Sequence, residues 1–483
     1  MEKMPNLVPL IPEIFVLGMA LVTLMASLFA TKLRNLSYYL AQLTLVGAAW
    51  LTAYLFIGID LSKPLITFDG SFILDRLSLT LKLFIYVSIF FVFIYSREYN
   101  IERKIPHNEF YVLGLLSMLG MMLLVSSYSF LTLFLGVELL SLPTYAMVAM
   151  RRNELRCVEA AMKYFVIGAL ASGMLLYGLS MVFGVTQSID IVTIASAIAN
   201  TPMNQQLILV FGLIFIVAGL AFKLGAAPFH MWIPDVYDGA PTSVTLFISA
   251  APKIAGFAML VRLLVDALPM LHIQWQELLI VISILSMGIG NFAAIIQNNV
   301  KRLLAYSSIA HMGYMLLGVL CATPRGYAAA MFYMITYAMM ALASFGILIL
   351  MSKGDFEAEH MSDFAGLYHR NPWLAFMMML TMFSLAGVPP LVGFIAKVGV
   401  LEALIQVHLV WLAVVAILFA IVGAYYYIRV VKVIYFEDSG RPENVTPITY
   451  PWDVMVAISI NCIAVLVIGI FPGWLFSLSH LAF

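Results

Sequence analysis

Apolar runs of about twenty residues, the length a helix needs to cross the hydrocarbon core of a bilayer, recur fourteen times along this chain. They fall near 10–30, 37–58, 77–95, 109–127, 129–149, 160–184, 206–227, 242–265, 277–297, 302–320, 326–351, 372–388, 409–434 and 452–471. In lipid only a helix or a closed barrel satisfies its own backbone, so an all-α polytopic membrane protein of about 14 transmembrane helices is expected. Composition agrees: 63% of the 483 residues are hydrophobic and 10% are charged, against about 45–50% and 25% in a soluble chain. The net charge is +0 and no basic domain stands out, so membrane lipid is an expected partner and nucleic acid is not. Cys157, Cys321 and Cys462 lie far apart and read as small hydrophobes, with no metal site expected. The first run lacks an A-x-A-like cleavage site and is expected to remain as a span.

Loop charges orient the bundle. Connections after runs 1, 3, 5, 9, 11 and 13 hold fifteen Lys and Arg residues: Lys32, Arg34, Arg97, Arg103, Lys104, Arg151, Arg152, Arg156, Lys301, Arg302, Lys353, Arg370, Arg429, Lys432 and Arg441. The opposite side holds four, Lys3, Lys63, Arg76 and Arg325. The positive-inside rule then puts the odd-numbered connections in the cytoplasm and both termini outside. No connection is large enough for a catalytic domain, those at 59–76 and 436–451 included. Residues 1–483 therefore read as a single membrane domain, whose chemistry must take place in the membrane or in another chain.

Charges inside the runs are the functional signal, because an ionised side chain in hydrocarbon costs several kcal/mol unless it meets a partner, water or a polar interior. Lys82 and Arg262 lie near run ends and are expected to snorkel. Glu138 sits mid-run in LTLFLGVELLSLPTY, five residues before Pro143, where a bend is expected, and reads as a titrating or charge-coupling acid that could pair with Lys163. Lys163 is also four residues after Glu159, so a snorkelling or structural role stays open for it. Lys223 and Lys253 both lie beside prolines, in FKLGAAPFHMWIPDVYDGAPTSVTLFISAAPKIAG. Pro228 is expected to break the seventh run, with a half-helix continuing to Val236 and a turn through Asp235, Asp238, Gly239 and Pro241. Burial and a nearby anion move a lysine's proton affinity in opposite directions, so such a lysine can be tuned to exchange a proton. His230, past the break, reads as a wall residue, and His311, mid-run in SSIAHMGY, as a core residue or a proton relay. Lys397 follows a second break at Pro389 and Pro390 in the twelfth run. The two breaks lie five spans apart, so their segments would cross in opposite senses, as in an inverted repeat of spans 4–8 and 9–13. On this division residues 1–105 hold spans 1–3, 106–266 the first repeat, 275–435 the second and 450–475 span 14.

The stretches VELLSLPTYAMVAM, VEAAMKYFVIGALASGMLLYGLSMVFG, NVKRLLAYSSIAHMGYMLLG and SLAGVPPLVGFIAK, with the long Lys223–Lys253 segment, closely resemble the antiporter-like membrane subunits of respiratory complex I. The resemblance implies a proton-channel subunit of the bacterial inner membrane with two inverted five-helix repeats and a broken helix in each. It implies that Glu138, Lys163, Lys223, Lys253 and Lys397 carry charge coupling and proton translocation, with His311 between the halves. No cofactor is expected in this chain; NADH, FMN, iron–sulfur clusters and quinone would belong to other subunits of the complex. Another antiporter-like subunit and a small membrane subunit are the neighbours implied. The lateral helix of the family's largest member has no expected counterpart after span 14. Two other functions fit the same charges: a subunit of a multisubunit sodium/proton antiporter, and a structural membrane scaffold.

Overall fold

A computed structural model describes residues 6–29, 35–59, 64–354, 356–438 and 451–483. Lys3, Lys32, Arg34, Lys63 and Arg441 of the orientation count, and most of the 436–451 connection, lie outside the described residues. The chain opens with α1 (Ile11–Phe29) and α2 (Leu36–Gly58), then a hairpin of β1 (Leu65–Thr67) and β2 (Phe72–Leu74) in the register Leu65–Leu74, and then α3 (Arg76–Glu102). Next come α4 (His107–Val125), α5 (Phe130–Val148), α6 (Leu155–Thr186), the short α7 (Ile191–Ala199), α8 (Met203–Leu224), α9 (Trp232–Gly239), α10 (Thr242–Ser249) and α11 (Ala251–Leu260). The remainder is α12 (His272–Ile295), α13 (Val300–Val319), α14 (Pro324–Met351), α15 (Leu367–Arg370), α16 (Pro372–Ala386), α17 (Val392–Gln406), α18 (Val410–Phe436), α19 (Trp452–Ile470) and α20 (Gly473–Leu481).

Among the described residues, twelve helical segments are long and apolar enough to cross a membrane. Two of the fourteen expected runs fall outside that set for different physical reasons. The tenth is α13, whose twenty residues include Lys301, Arg302, Ser307, Ser308 and His311. The twelfth is cut at Gly387, leaving fifteen residues in each of α16 and α17. The eighth run also contains an interruption: Ala250 leaves helical geometry between α10 and α11, and a π-helical turn, Val261–Ala267, finishes the segment. By contrast α5 runs on through Pro143.

Helix starts follow side chains that satisfy the first free amides. Asp75 and Ser78 form a reciprocal cap on α3, Ser129 and Thr132 do so on α5, and Asn371 caps α16 with Pro372 in its first turn. Glycine lets helices approach where lipid supplies no hydrophobic drive. A Cβ on Gly120 of α4 would lie 2.3 Å from the Leu140 amide nitrogen of α5. The helices sort by burial into an inner group, α10, α11, α13 and α14, and an outer ring that includes α1, α2, α6 and α18. In α14, all 28 residues except Pro324, Arg325 and Met339 are buried.

Snorkelling does not describe Lys82 or Arg262. Lys82 on α3 is 0% exposed and pairs at 2.5 Å with Glu13 of α1, which is buried too. Arg262, also buried, bonds both carboxylate oxygens of Asp75 at 2.9 and 2.8 Å and Asp266 at 2.9 Å. A carboxylate within reach spares each cation the route to the interface. Removing one partner of a buried pair strands the other charge, so Lys82→Ala is expected to cost about 3–5 kcal/mol. Thermal unfolding of the detergent-solubilised protein should show this loss, and the double variant Glu13→Leu with Lys82→Met should recover most of it.

Candidate functional site

Two helices stop inside the bundle in the same way. α8 ends at Leu224 with Gly225 in the left-handed region (φ 77°), its N–H bonded to the Phe222 carbonyl at 3.0 Å and the Ala226 N–H to Ala221 at 2.7 Å. This is the usual glycine termination of a helix, and it is required sterically as well, since a Cβ on Gly225 would lie 1.8 Å from Ile233 Cδ1. Helix resumes at Trp232, whose indole N–H donates back to the Phe222 carbonyl at 3.1 Å, while the Ser286 hydroxyl of α12 accepts the Ala227 N–H at 2.8 Å. α16 ends on Gly387 (φ 89°), with the Val388 N–H bonded to Phe383 at 2.9 Å; after Val392 resumes helix, the Ser384 hydroxyl accepts the Gly393 N–H at 3.1 Å. Ala227–Pro228 and Pro389–Pro390 are both cis. Asp235 and Asp238, expected in a turn, lie within α9, which extends to Gly239.

Lys223 occupies the last turn of α8, and its ammonium donates to the Ser141 hydroxyl of α5 at 2.8 Å. Glu138, three residues earlier on α5, interacts electrostatically with Lys223, and its Oε1 is buried without a hydrogen bond among the described residues. The expected Glu138–Lys163 pair does not form. Lys163 instead holds Glu159 at 2.9 Å and Asp235 of α9 at 2.8 Å, with its side chain 42% exposed. A partner one turn away and another across the α6–α9 contact take its charge, so Lys163 stands apart from the buried groups.

Lys253, in the first turn of α11, is 2% exposed. Its ammonium bonds the Ser308 hydroxyl of α13 and lies 5.2 Å from the centre of the Tyr337 ring. One turn beyond Ser308, buried His311 meets the Tyr333 hydroxyl at 2.7 Å through Nδ1 and the Tyr427 hydroxyl at 3.1 Å through Nε2. Tyr427 also bonds Ser307. The Tyr337 ring lies 5.3 Å from the imidazole, and Tyr333 stacks on Tyr314 at 6.3 Å. Lys397 of α17 stands over Tyr314 at 5.2 Å and donates to the Leu385 and Ala386 carbonyls at 3.1 and 2.8 Å. Those carbonyls close the C-terminus of α16, where the helix dipole favours a cation.

Lys253, His311 and Lys397 are thus linked by Ser308 and four tyrosines, groups that can accept and release protons. Sequence reading missed the tyrosines. Tyr333 and Tyr337 share a helix face by their four-residue spacing, and Ser308 precedes His311 by three, yet neither spacing separates a polar relay from ordinary core. His230 is half-buried just past the first break, its Nδ1 without a hydrogen bond among the described residues.

A second charged region lies at the ends of α6, α9 and α13. Arg156, Glu159, Lys163, Asp235, Asp238 and Arg302 line a cavity of about 130 Å³ there. In the adjoining loop, Glu357 bonds Arg103 at 2.7 Å, Tyr99 at 2.9 Å and Thr242. Burial pushes its carboxyl up, but the charges of Lys301 and Arg103 and the hydroxyl bonds outweigh this and hold it below its ordinary value.

Residues 127–423 match the model of the family described as NADH:quinone oxidoreductase/Mrp antiporter, TM. NADH-quinone oxidoreductase subunit N of Coxiella burnetii (strain RSA 493 / Nine Mile phase I) is 69% identical over 482 residues, 100% of each chain. The protein of that name from Thioalkalivibrio sulfidiphilus (strain HL-EbGR7) is 52% identical, covering 99% of this chain and 98% of its own. A chain of respiratory complex I from Thermus thermophilus with bound aureothin superposes with a TM-score of 0.82 at 30% identity, over 97% of this chain and 100% of that one. A chain of the Mrp complex from Dietzia sp. DQ12-45-1b shares the fold, with a TM-score of 0.84 at 18% identity over 99% and 97% of the two chains. The charged stretches that resembled antiporter-like subunits fall in the matched region, and the chain belongs to the NADH:quinone oxidoreductase/Mrp antiporter transmembrane family, among the subunits N of NADH-quinone oxidoreductase.

Proposed function

We propose that this chain is the membrane subunit that moves protons across the bacterial inner membrane for NADH-quinone oxidoreductase. The observation that carries this reading is the contact row Lys253–Ser308, Tyr337, His311, Tyr333, Tyr314 and Lys397, with Lys223 and Glu138 at the first helix break. Buried ammonium, imidazole and phenol groups serve proton exchange without a nucleophile or redox centre. NADH, FMN, iron–sulfur clusters and quinone then belong to other subunits, and quinone reduction there drives this chain by shifting one charge and biasing the next. A proton loads from the cytoplasm near Lys223 or Lys253, passes His311 and leaves to the periplasm from Lys397.

The same proposal includes fourteen crossings, with α13 and the α16–α17 pair as the two added to the apolar twelve, and periplasmic termini. It includes inverted repeats over spans 4–8 and 9–13, supported by the matching glycine terminations of α8 and α16. It also places another antiporter-like subunit, a small membrane subunit and lipid around this chain. Sodium/proton exchange has the antiporter half of the family description and a likeness of fold at 18% identity behind it, against relatives at 69% and 52% identity that are named subunit N. The scaffold reading leaves the proton-exchanging character of the row without a use.

Gentle isolation from membranes should bring NADH-quinone oxidoreductase subunits with the chain. Lys253→Ala should leave that assembly intact and reduce NADH-driven proton uptake by inverted membrane vesicles about tenfold or more. Isolation without those subunits, or unimpaired sodium-independent uptake in the variant, rules the reading out.

A further inference from the structure

The charged cavity and the buried row are separated by α9, and one residue of that helix belongs to neither description. Asp235 and Asp238 line the cavity. Tyr237, between them, faces inward and is 0% exposed, its ring packed edge-on against Phe345 of α14 at 5.8 Å and Trp232 at 6.4 Å. Its hydroxyl is buried and makes no well-aligned hydrogen bond among the described residues, although the Ser308 hydroxyl is within reach of it. The polar and titratable groups that face it are Ser308 of α13, Tyr337 of α14 and Tyr164 of α6. Leaving such a hydroxyl unpaired costs about 1–3 kcal/mol, and a phenylalanine would make the same ring contacts without that cost. Ser308 is the hydroxyl bonded to Lys253.

We propose that Tyr237 is the positioning hydroxyl through which protons pass from the charged cavity to the Ser308–Lys253 pair. This rests on the translocation reading above. When Lys253 is a neutral amine, a proton delivered from the cavity joins the Tyr237 oxygen as the phenolic proton moves to Ser308 Oγ and the serine proton moves to Lys253 Nζ. Each hydroxyl regains the proton it gives up, so both end neutral, and one positive charge has moved from the cavity to Lys253. Lys163 and Arg302 in the cavity wall pair with Asp235 and keep its carboxylate beside this route.

The test uses the assembled complex in inverted membrane vesicles, with proton uptake measured per NADH oxidised. Tyr237→Phe is expected to lower uptake about threefold, less than the tenfold or more expected of Lys253→Ala, since water can replace part of a hydroxyl relay. 3-Fluorotyrosine incorporated at position 237 keeps the hydroxyl and the packing but makes the phenol a stronger proton donor and a weaker acceptor, and is expected to change the rate of uptake at fixed pH and its solvent deuterium isotope effect. A packing role leaves both where they were. Native uptake in Tyr237→Phe, or an unchanged rate and isotope effect with 3-fluorotyrosine, overturns the proposal; if Tyr237→Phe fails to assemble, the fluorotyrosine measurements decide. Lys253→Ala run in parallel separates the two levels. If it pumps normally, the translocation reading itself fails; if it does not pump while Tyr237→Phe does, only the Tyr237 route fails.

Discussion

Lys223→Ala is expected to leave the complex assembled while lowering proton uptake about tenfold or more, as loss of a primary proton-transfer group does. Assembly should survive because the end of α8 is closed by other groups: Gly225 in its left-handed conformation, the Ala226 amide and the Trp232 indole. The lysine contributes its bond to Ser141 and its charge opposite Glu138. Lys223→Arg separates charge from proton exchange, because a guanidinium keeps its proton at any working pH. The arginine variant should therefore also fail to pump. Native gels would report assembly and a pH-sensitive dye in inverted vesicles would report uptake. Normal pumping by Lys223→Arg would show that position 223 needs only a fixed positive charge.

Lys397→Ala should combine two losses. Its ammonium is the donor for the Leu385 and Ala386 carbonyls at the end of α16, so its removal uncaps a half-helix inside the bundle, at about 1–2 kcal/mol. Removal of the last basic group of the row should also reduce uptake about tenfold or more. Lys397→Arg should regain the thermal stability of the solubilised complex and still not pump. Recovery of both together would reduce Lys397 to a structural cap.

The sequence made the spans legible because hydrocarbon imposes length and apolarity one segment at a time. It made Lys223, Lys253 and Lys397 legible because a charge within an apolar run needs a reason. Partnerships were much less legible. Glu13 lies far from Lys82 in the chain and Asp75 far from Arg262, so each cation near a run end looked free to reach the interface when it was already paired. The sequence offers Lys163 both Glu138 and Glu159 as partners; Glu159 holds it, with Asp235 meeting it across the α6–α9 contact, a relation set by helix rotation and not by spacing. Tyr333, Tyr337, Tyr314 and Tyr427 were invisible for another reason: the same residue type fills membrane cores and interfaces throughout such chains. The β1–β2 hairpin, within a connection judged only by its size, left no comparable apolar signal.

The encased position of α10, α11 and α14 has an electrical consequence. Because almost no residue of these helices is exposed, Lys253 and His311 are surrounded by protein, while Lys397, on α17, is half-buried. The outer helices act as an insulating sleeve around the row proposed to carry protons. Changes in bilayer thickness or headgroup charge are then absorbed by the sleeve, while the force one lysine exerts on the next is set by the polarizability of the surrounding side chains.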